Sequence, residues 1–434
     1  MFPPMRRPTN ESMACCPFEK VQGFLNFLNS NARRHPSVIQ NACESCFLGI
    51  KQWFMDFEIP EDYRTLKNSV RQFCEKNVKP FARDWDVNEE CPRSVLEELG
   101  QLGLMGVCVA EEYNGSGLGV RALAVAVEEI ARWDGSLALT VAAHNGLCSN
   151  HIRLFGNAEQ KKKYLPKLAV AEFLGAWALT EAGSGSDSAA MKTTAVKREG
   201  GWVLNGNKMF ITQGTQAEIF VVLAVTEPQK KQKGISAFLV DGGTEGLVAR
   251  KIRGKMGMRS SDTAELILED VKVGEEALLG ELNQGFIQTM KVLDRGRIII
   301  GALASGLSRC ALEESLLYSS QRIAFGKPIS EFQATHFKLA DMKVALDAGW
   351  SLIWRAAHLA DQGKPFSQEA AIAKLYASEA ATRACLDAIQ ILGGNGYTNA
   401  FVVERALRDA KLCEIGEGTS EILRIVISRH LLKS

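Results

Sequence analysis

The chain has 434 residues, 46% of them hydrophobic and 23% charged, with 51 basic against 50 acidic side chains and a formal charge of +1. That length fits two to four domains of roughly 100–200 residues each, enough to bury a core without disulfide or metal staples. The charge balance excludes a general nucleic-acid binder, which carries a strongly basic domain. No apolar run approaches the roughly 18 residues of a membrane span.

Residues 1–52 differ from the rest. Met1 to Asn10 holds Pro3, Pro4, Pro8, Arg6 and Arg7 and no acid, but Glu11, Glu19 and Glu44 fit a mitochondrial presequence badly. No apolar core follows Arg7, as a secretory signal would need. The segment reads as a loosely ordered extension. Eleven cysteines, an odd number without repeated spacing, fit reduced thiols in a cytosol-like compartment. A cytoplasmic location is favoured over a mitochondrial matrix. Cys43 and Cys46 form a lone CxxC with no second pair of ligands nearby, so no metal is expected.

From Pro60 the pattern becomes helical. Pro60-Glu61-Asp62 is a helix start, and Tyr63, Leu66, Val70 and Phe73 recur at helical spacing. Similar patterns run to about Lys167. Near Phe173 the period changes. Residues 193–197 and 202–212 predict strands joined near Gly200-Gly201, and Asn205-Gly206 carries the signal of a tight hairpin turn. Residues 219–225, 235–240 and 266–273 predict further strands. Long helices return after Gly285, clearest over 332–361 and 367–392, the latter stopped by Gly393-Gly394. Helices, then strands, then helices is not the alternation of a parallel-sheet enzyme. The expected division is a helical domain over 53–173, a β domain over 174–286 and a helical bundle over 287–434.

Several clusters point to ligands. Thr180-Glu-Ala-Gly-Ser-Gly-Ser-Asp187 is a Gly/Ser-rich loop whose amides and hydroxyls suit a phosphate or a polar ring edge. The alternative is an ordinary turn between strands. Leu392-Gly-Gly-Asn-Gly-Tyr397, preceded by Gln390, is a second glycine cluster, and a helix cap with a turn would also explain it. Glu417 lies between Gly416 and Gly418, on backbone free to reach a cavity; an exposed turn or a helix-capping acid is the plainer reading. Asp294-Arg295-Gly296-Arg297 suits either a phosphate clamp or a salt-bridge cluster.

Taken in order, six motifs resemble the acyl-CoA dehydrogenase family. They are Ala178 to Asp187, Asn205 to Thr212, Lys255 to Thr263, Arg322 to Pro328, Gln390 to Tyr397, and Arg408 through Glu421. The resemblance covers about Phe57 to Leu432. It implies an α+β fold with a helical N-terminal domain, a middle β-barrel-like domain and a C-terminal helical bundle. It implies FAD-dependent α,β-desaturation of an acyl-CoA thioester, with electrons passed to an electron-transfer flavoprotein. An oxygen-using oxidase of this fold usually has an added C-terminal region, and a non-catalytic acyl-CoA-binding protein would not need the base.

Glu417 matches the family's base for the α-proton. Some relatives carry the base at the position of Gly296, which cannot serve. Leu179, Thr180, Gly185 and Ser186 match the loop over the flavin and pyrophosphate, and Phe210 and Thr212 match the isoalloxazine wall. Arg322, Phe325, Gln390, Gly393 and Gly394 match residues that reach a neighbouring subunit's FAD, which implies an oligomer, usually a homotetramer. Thr419 and Glu421 match further FAD contacts. Ser186, Asp294 and Arg297 match the CoA side, and Gly416 and Gly418 flank the thioester. Many relatives have Tyr at the Gly416 position, which points to a wider or looser pocket. Lys364-Pro-Phe, Ser378-Glu-Ala-Ala and the Arg429-His-Leu-Leu end resemble short-chain members, so acyl length stays open.

Overall fold

The computed structural model describes residues 59–432; the expected extension and the CxxC lie outside them. Pro60 leads into α1 (Glu61–Asn77), with Glu61 and Asp62 in its first turn, at the positive end of the helix dipole. α2 (Ala82–Asn88), α3 (Arg93–Gln101), α4 (Val120–Trp133) and α5 (Gly135–Ala143) follow. Asp134 caps α5 by accepting the Leu137 N–H at 2.7 Å. A π-helical turn, His144–Ser149, joins α5 to α6 (Asn150–Phe155). A capping box between Asn157 and Gln160 starts α7 (Ala158–Ala169).

The middle of the chain forms one sheet. Its strands are β1 (Gly175–Ala178), β2 (Thr194–Arg198), β3 (Gly201–Thr212), β4 (Ile219–Val225), β5 (Ile235–Asp241), β6 (Leu247–Lys251), β7 (Thr263–Gly274) and β8 (Leu278–Leu279). The order is β6-β7-β3-β2-β4-β5-β8, with β1 parallel to β4. Alternation along β4 serves two cores. Phe220, Val222 and Ala224 join a cluster with Trp202, Phe238 and Leu266 whose buried members all lie on strands, so the sheet curls around its own interior. Ile219, Val221 and Leu223 face a second cluster shared with Ile152, Leu165 and Leu168 of the helices.

The hairpin expected at Asn205-Gly206 is absent. Both residues lie inside β3, which pairs with β2 and β7, and the turn falls at Glu199–Gly200. Gly206 (φ 149°) sits at a register shift where a Cβ would come within 2.5 Å of Thr193 Oγ1, so glycine serves a close strand approach. The sequence pattern does not mark as strands β1, four residues long, or β6, whose Leu-Val-Ala-Arg-Lys run does not alternate apolar with polar residues.

The long α8 (Gly285–Gln321) spans about 55 Å at 1.5 Å per residue. A small hairpin, β9 (Ile323–Ala324) with β10 (Lys327–Pro328), follows. Then come α9 (Gln333–Asp361), α10 (Ser367–Leu392), α11 (Val403–Cys413) and α12 (Ser420–Leu431). α8 packs against α10, α4 and α9, so one helix ties the two helical regions to a common core. Among the described residues no helix is long and apolar enough to cross a membrane.

Candidate active site

α11 ends at Cys413, and the chain turns through Gly416 and Glu417 before Thr419 caps α12 by accepting the Ile422 N–H. Glu417 holds a left-handed backbone (φ 56°) and Gly418 follows at φ 109°. A non-glycine residue in that region carries strain of about 1–3 kcal/mol, which persists only where the surroundings impose it. Here they do. Arg297 Nε of α8 reaches the Glu417 carbonyl at 3.4 Å, and Lys374 Nζ of α10 donates to the Gly418 carbonyl at 2.5 Å.

The carboxyl points at α8. A Cβ on Gly296 would lie 1.8 Å from Glu417 Oε2, so only glycine leaves room there. Glu417 is half-buried, and its Oε2 is shut from solvent without a hydrogen-bond partner. Burial pushes its carboxyl up to about 7, against the opposing pull of Lys374 and then Arg297. Among the described residues the Glu417 backbone N–H has no acceptor. Asp294 and Arg297 pair with each other at 2.6 Å, and Ser367 Oγ donates to Asp294 at 3.0 Å. Burial raises the Asp294 carboxyl, opposed chiefly by Arg297. Asp294, Arg297, Gly416, Glu417, Gly418 and Thr419 thus gather at one junction of α8, α10 and the α11–α12 loop.

A second group gathers at the end of β1. Lys208 of β3, with no exposed surface, donates to the Leu179 carbonyl at 3.1 Å and to Glu181 Oε1 at 2.9 Å. Glu181 also accepts the amides of Lys192 and Thr193. Burial would raise the Glu181 carboxyl, but Lys208 and these donors hold it below the usual range, while burial lowers Lys208 to about 8. The Met209 amide donates to the Thr180 carbonyl at 2.8 Å. These bonds pin Leu179 and Thr180 against β3. Gly185 and Ser186 remain exposed, with nothing within 4 Å of a Cβ built on Gly185. Phe210 stands on a bulge of β3 at φ 60° and is 63% exposed, two residues before Thr212. An open backbone cradle beside a presented aromatic ring fits the phosphates and the flat ring of the FAD implied by the resemblance.

A third group occupies one end of the bundle. Phe325 is 95% exposed at the β9–β10 turn, and Arg322 follows α8 directly, also exposed. Gln390, Gly393 and Gly394 at the end of α10 are exposed, with open space at both glycines. Asn395 Nδ2 bonds the Tyr318 hydroxyl, which joins the two ends. No bond links this group to the other two within the described residues. Glu421 is exposed in the first turn of α12.

Lys374, Lys208 and Glu181 are site residues that the sequence reading does not single out. A lysine on the Ala370, Ala371, Ala373, Ala377 stripe of α10 was the available signal for Lys374, and the inward alternation of β3 was that for Lys208.

Three family models match the chain. They are the N-terminal, middle and C-terminal domains of acyl-CoA dehydrogenase, over residues 60–172, 176–271 and 283–432. The short-chain specific acyl-CoA dehydrogenase of Mus musculus mitochondria is 43% identical over 393 residues, covering 89% of this chain and 95% of that protein. The butyryl-CoA dehydrogenase structure from Megasphaera elsdenii superposes with a TM-score of 0.85 at 40% identity, covering 87% of this chain and all of that one. A chain from structural work on the electron transferring flavoprotein of Acidaminococcus fermentans gives a TM-score of 0.86 at 42% identity, covering 88% of this chain and all of that one.

Proposed function

The chain belongs to the acyl-CoA dehydrogenase family, and from that premise we propose that it desaturates short acyl-CoA thioesters with Glu417 as the base. Dehydrogenation of acyl-CoA with FAD as cofactor is its activity. Leu179, Thr180, Gly185, Ser186, Phe210 and Thr212 would hold the flavin and pyrophosphate, with Thr419 and Glu421 contributing. Bound there, FAD supplies the acceptor for the hydride leaving the β-carbon.

The observation that carries the reading is the buried, unpartnered Oε2 of Glu417. An exposed turn acid would have no such oxygen. A free glutamate, at about 4.3, is a weak base for an α-proton; desolvation brings Glu417 to about 7, near a working pH. The free Glu417 N–H is available to bond a thioester oxygen and to stabilise charge developing on it. The Asp294–Arg297 pair stiffens the α8 face beneath, on the side assigned to CoA. A Cβ on Gly416 would meet nothing closer than 3.6 Å, so the pocket beside the base has room for a side branch.

The size preference rests on the short-chain and butyryl relatives. An electron-transfer flavoprotein as acceptor rests on the matching chain from the Acidaminococcus fermentans flavoprotein work. A homotetramer is the assembly we assign. It would cover the exposed apolar side chains Phe325, Tyr397, Ile323, Leu317, Phe337 and Leu386.

Glu417→Gln tests the base. The variant should keep FAD and acyl-CoA binding, yet lose roughly 10²–10⁴-fold in the rate of flavin bleaching by butyryl-CoA in stopped flow. In the wild type the same rate should rise with pH through about 7, as Glu417 ionises. Bleaching within about threefold of wild type would remove Glu417 from the mechanism.

A further inference from the structure

The Glu417 loop has two consecutive carbonyls facing the protein interior, and each meets a cation from a different helix. Arg297 of α8 takes the first and is already neutralised by Asp294. Lys374 of α10 takes the second, and no carboxylate of the described residues lies within salt-bridge distance of it. A lysine with no exposed surface normally has an acid partner, because an ammonium loses its hydration on burial and one carbonyl replaces little of it. Burial accordingly lowers Lys374 to about 8. The placement makes sense if the compensating charge is the ionised form of Glu417, one residue before the carbonyl that Lys374 holds.

We infer that Lys374 is a positioning residue for the base: its ammonium clamps the glycine-flanked loop through the Gly418 carbonyl and supplies the unneutralised positive charge facing Glu417. The inference rests on Glu417 being the base. Other groups around the pair do not replace that charge. Arg297 is shared with Asp294, towards which His430 of α12 also lies. The Cys413 thiol is pushed up to about 12 by burial and stays neutral. Glu414 is bonded to Lys411 and Thr382, and it acts on Lys374 less than Glu417 does. The side of α8 that meets Glu417 offers only Gly296, without a side chain.

The clamp also accounts for the strained backbone. After α11, the Gly416 amide closes on the Leu412 carbonyl and the Ser420 amide on the Glu414 carbonyl, leaving 417 and 418 to be held by side chains. Without the ammonium, the Gly418 carbonyl would be a buried acceptor without a donor, and the loop could relax out of its left-handed turn.

Three variants of the FAD-loaded enzyme test this. Lys374→Gln keeps a donor and removes the charge, Lys374→Met removes both, and Lys374→Arg keeps the charge. Two quantities are read: flavin reduction by butyryl-CoA across an acid-to-alkaline pH series, and deuterium uptake of peptides covering the loop from Glu414 to Ser420. In the Gln and Met variants the acid limb of the rate profile should move up by about one pH unit, the low end of the effect of a close opposite charge. Well below the limb's midpoint that is a further loss of about tenfold, beyond any fall of the high-pH plateau. Uptake over the loop should rise in Met and much less in Gln, and Arg should return the limb towards wild type. A limb that stays put in the Gln and Met variants, or uptake unchanged in Met, would overturn the inference. So would failure of all three variants to fold or hold FAD, which would assign Lys374 a packing role. Deuterium uptake does not depend on which group is the base, so a failure of the Glu417 assignment would show separately in Glu417→Gln.

Discussion

The buried carboxyl of Glu417 is expected to cost the folded protein stability once it ionises. Its carboxyl holds a proton up to about pH 7 when folded, and to about 4.3 in an unfolded chain. Between those values the folded state binds more protons than the unfolded one, so stability falls as pH rises. The contribution is fully present below about pH 4 and is gone above about pH 7. At about 1.36 kcal/mol per unit, the difference amounts to about 4 kcal/mol. Glu417→Gln, which cannot ionise, should therefore melt above wild type at about pH 8 and close to it at about pH 4. Melting curves at the two pH values check this, and a gain of equal size at both would show that ionisation is not its source. The substitution proposed to remove the base is thus expected to stabilise the fold, as where a site is built at the expense of stability. Gly296 belongs to the same trade in space: the volume its missing side chain leaves is the volume the carboxyl fills.

At the scale of elements, β3 does the most varied work. One of its register shifts, between Leu204 and Gly206, lets the strand pass close to Thr193. The other, between Lys208 and Ile211, turns Lys208 inward to the Leu179–Glu181 loop and Phe210 outward. Gly206→Ala would place a methyl against Thr193 on a backbone that disfavours one, at a combined cost of about 2–4 kcal/mol. Because both bulges lie on one strand, the expected result is a lower melting temperature and a reduced flavin-to-protein absorbance ratio together. Wild-type values of both would mean that the strand absorbs the change locally. Asn205-Gly206 also shows why local rules can mislead. The dipeptide satisfies the chemistry of a tight turn, and the partners on either side, β2 and β7, keep it extended. Pairing with strands distant in sequence outweighs a preference of two residues.

At the scale of the whole molecule, one end of the helical bundle carries ligand-type residues with nothing in the described chain to bind. Arg322, Phe325, Gln390, Gly393 and Gly394 lie exposed together, amid apolar side chains left open to solvent. Such a face is expected to be covered by another copy, with Arg322 pairing with the pyrophosphate of the copy's FAD. Arg322→Ala should then lower retained FAD after dialysis and weaken the oligomer in sedimentation velocity, both at once. FAD content and sedimentation unchanged from wild type would detach this end of the bundle from cofactor binding.

By itself the sequence determined the helix–strand–helix order, the extents of α10 and β4, the stop at Gly393, and the residue types gathered around Glu417. Those are matters of period, capping and chain flexibility, which act within a few residues. Only the tertiary structure shows that the Glu417 carboxyl is buried rather than an exposed turn acid, because the quantity that separates the two is desolvation. Glu417 is desolvated against Gly296 and steadied by Arg297, 120 residues away along the chain. Lys374 was hidden for the same reason. A lysine on an alanine stripe of a helix reads as a polar interruption until the fold closes over it, and burial, the property that gives its charge a role, does not exist before the helices pack.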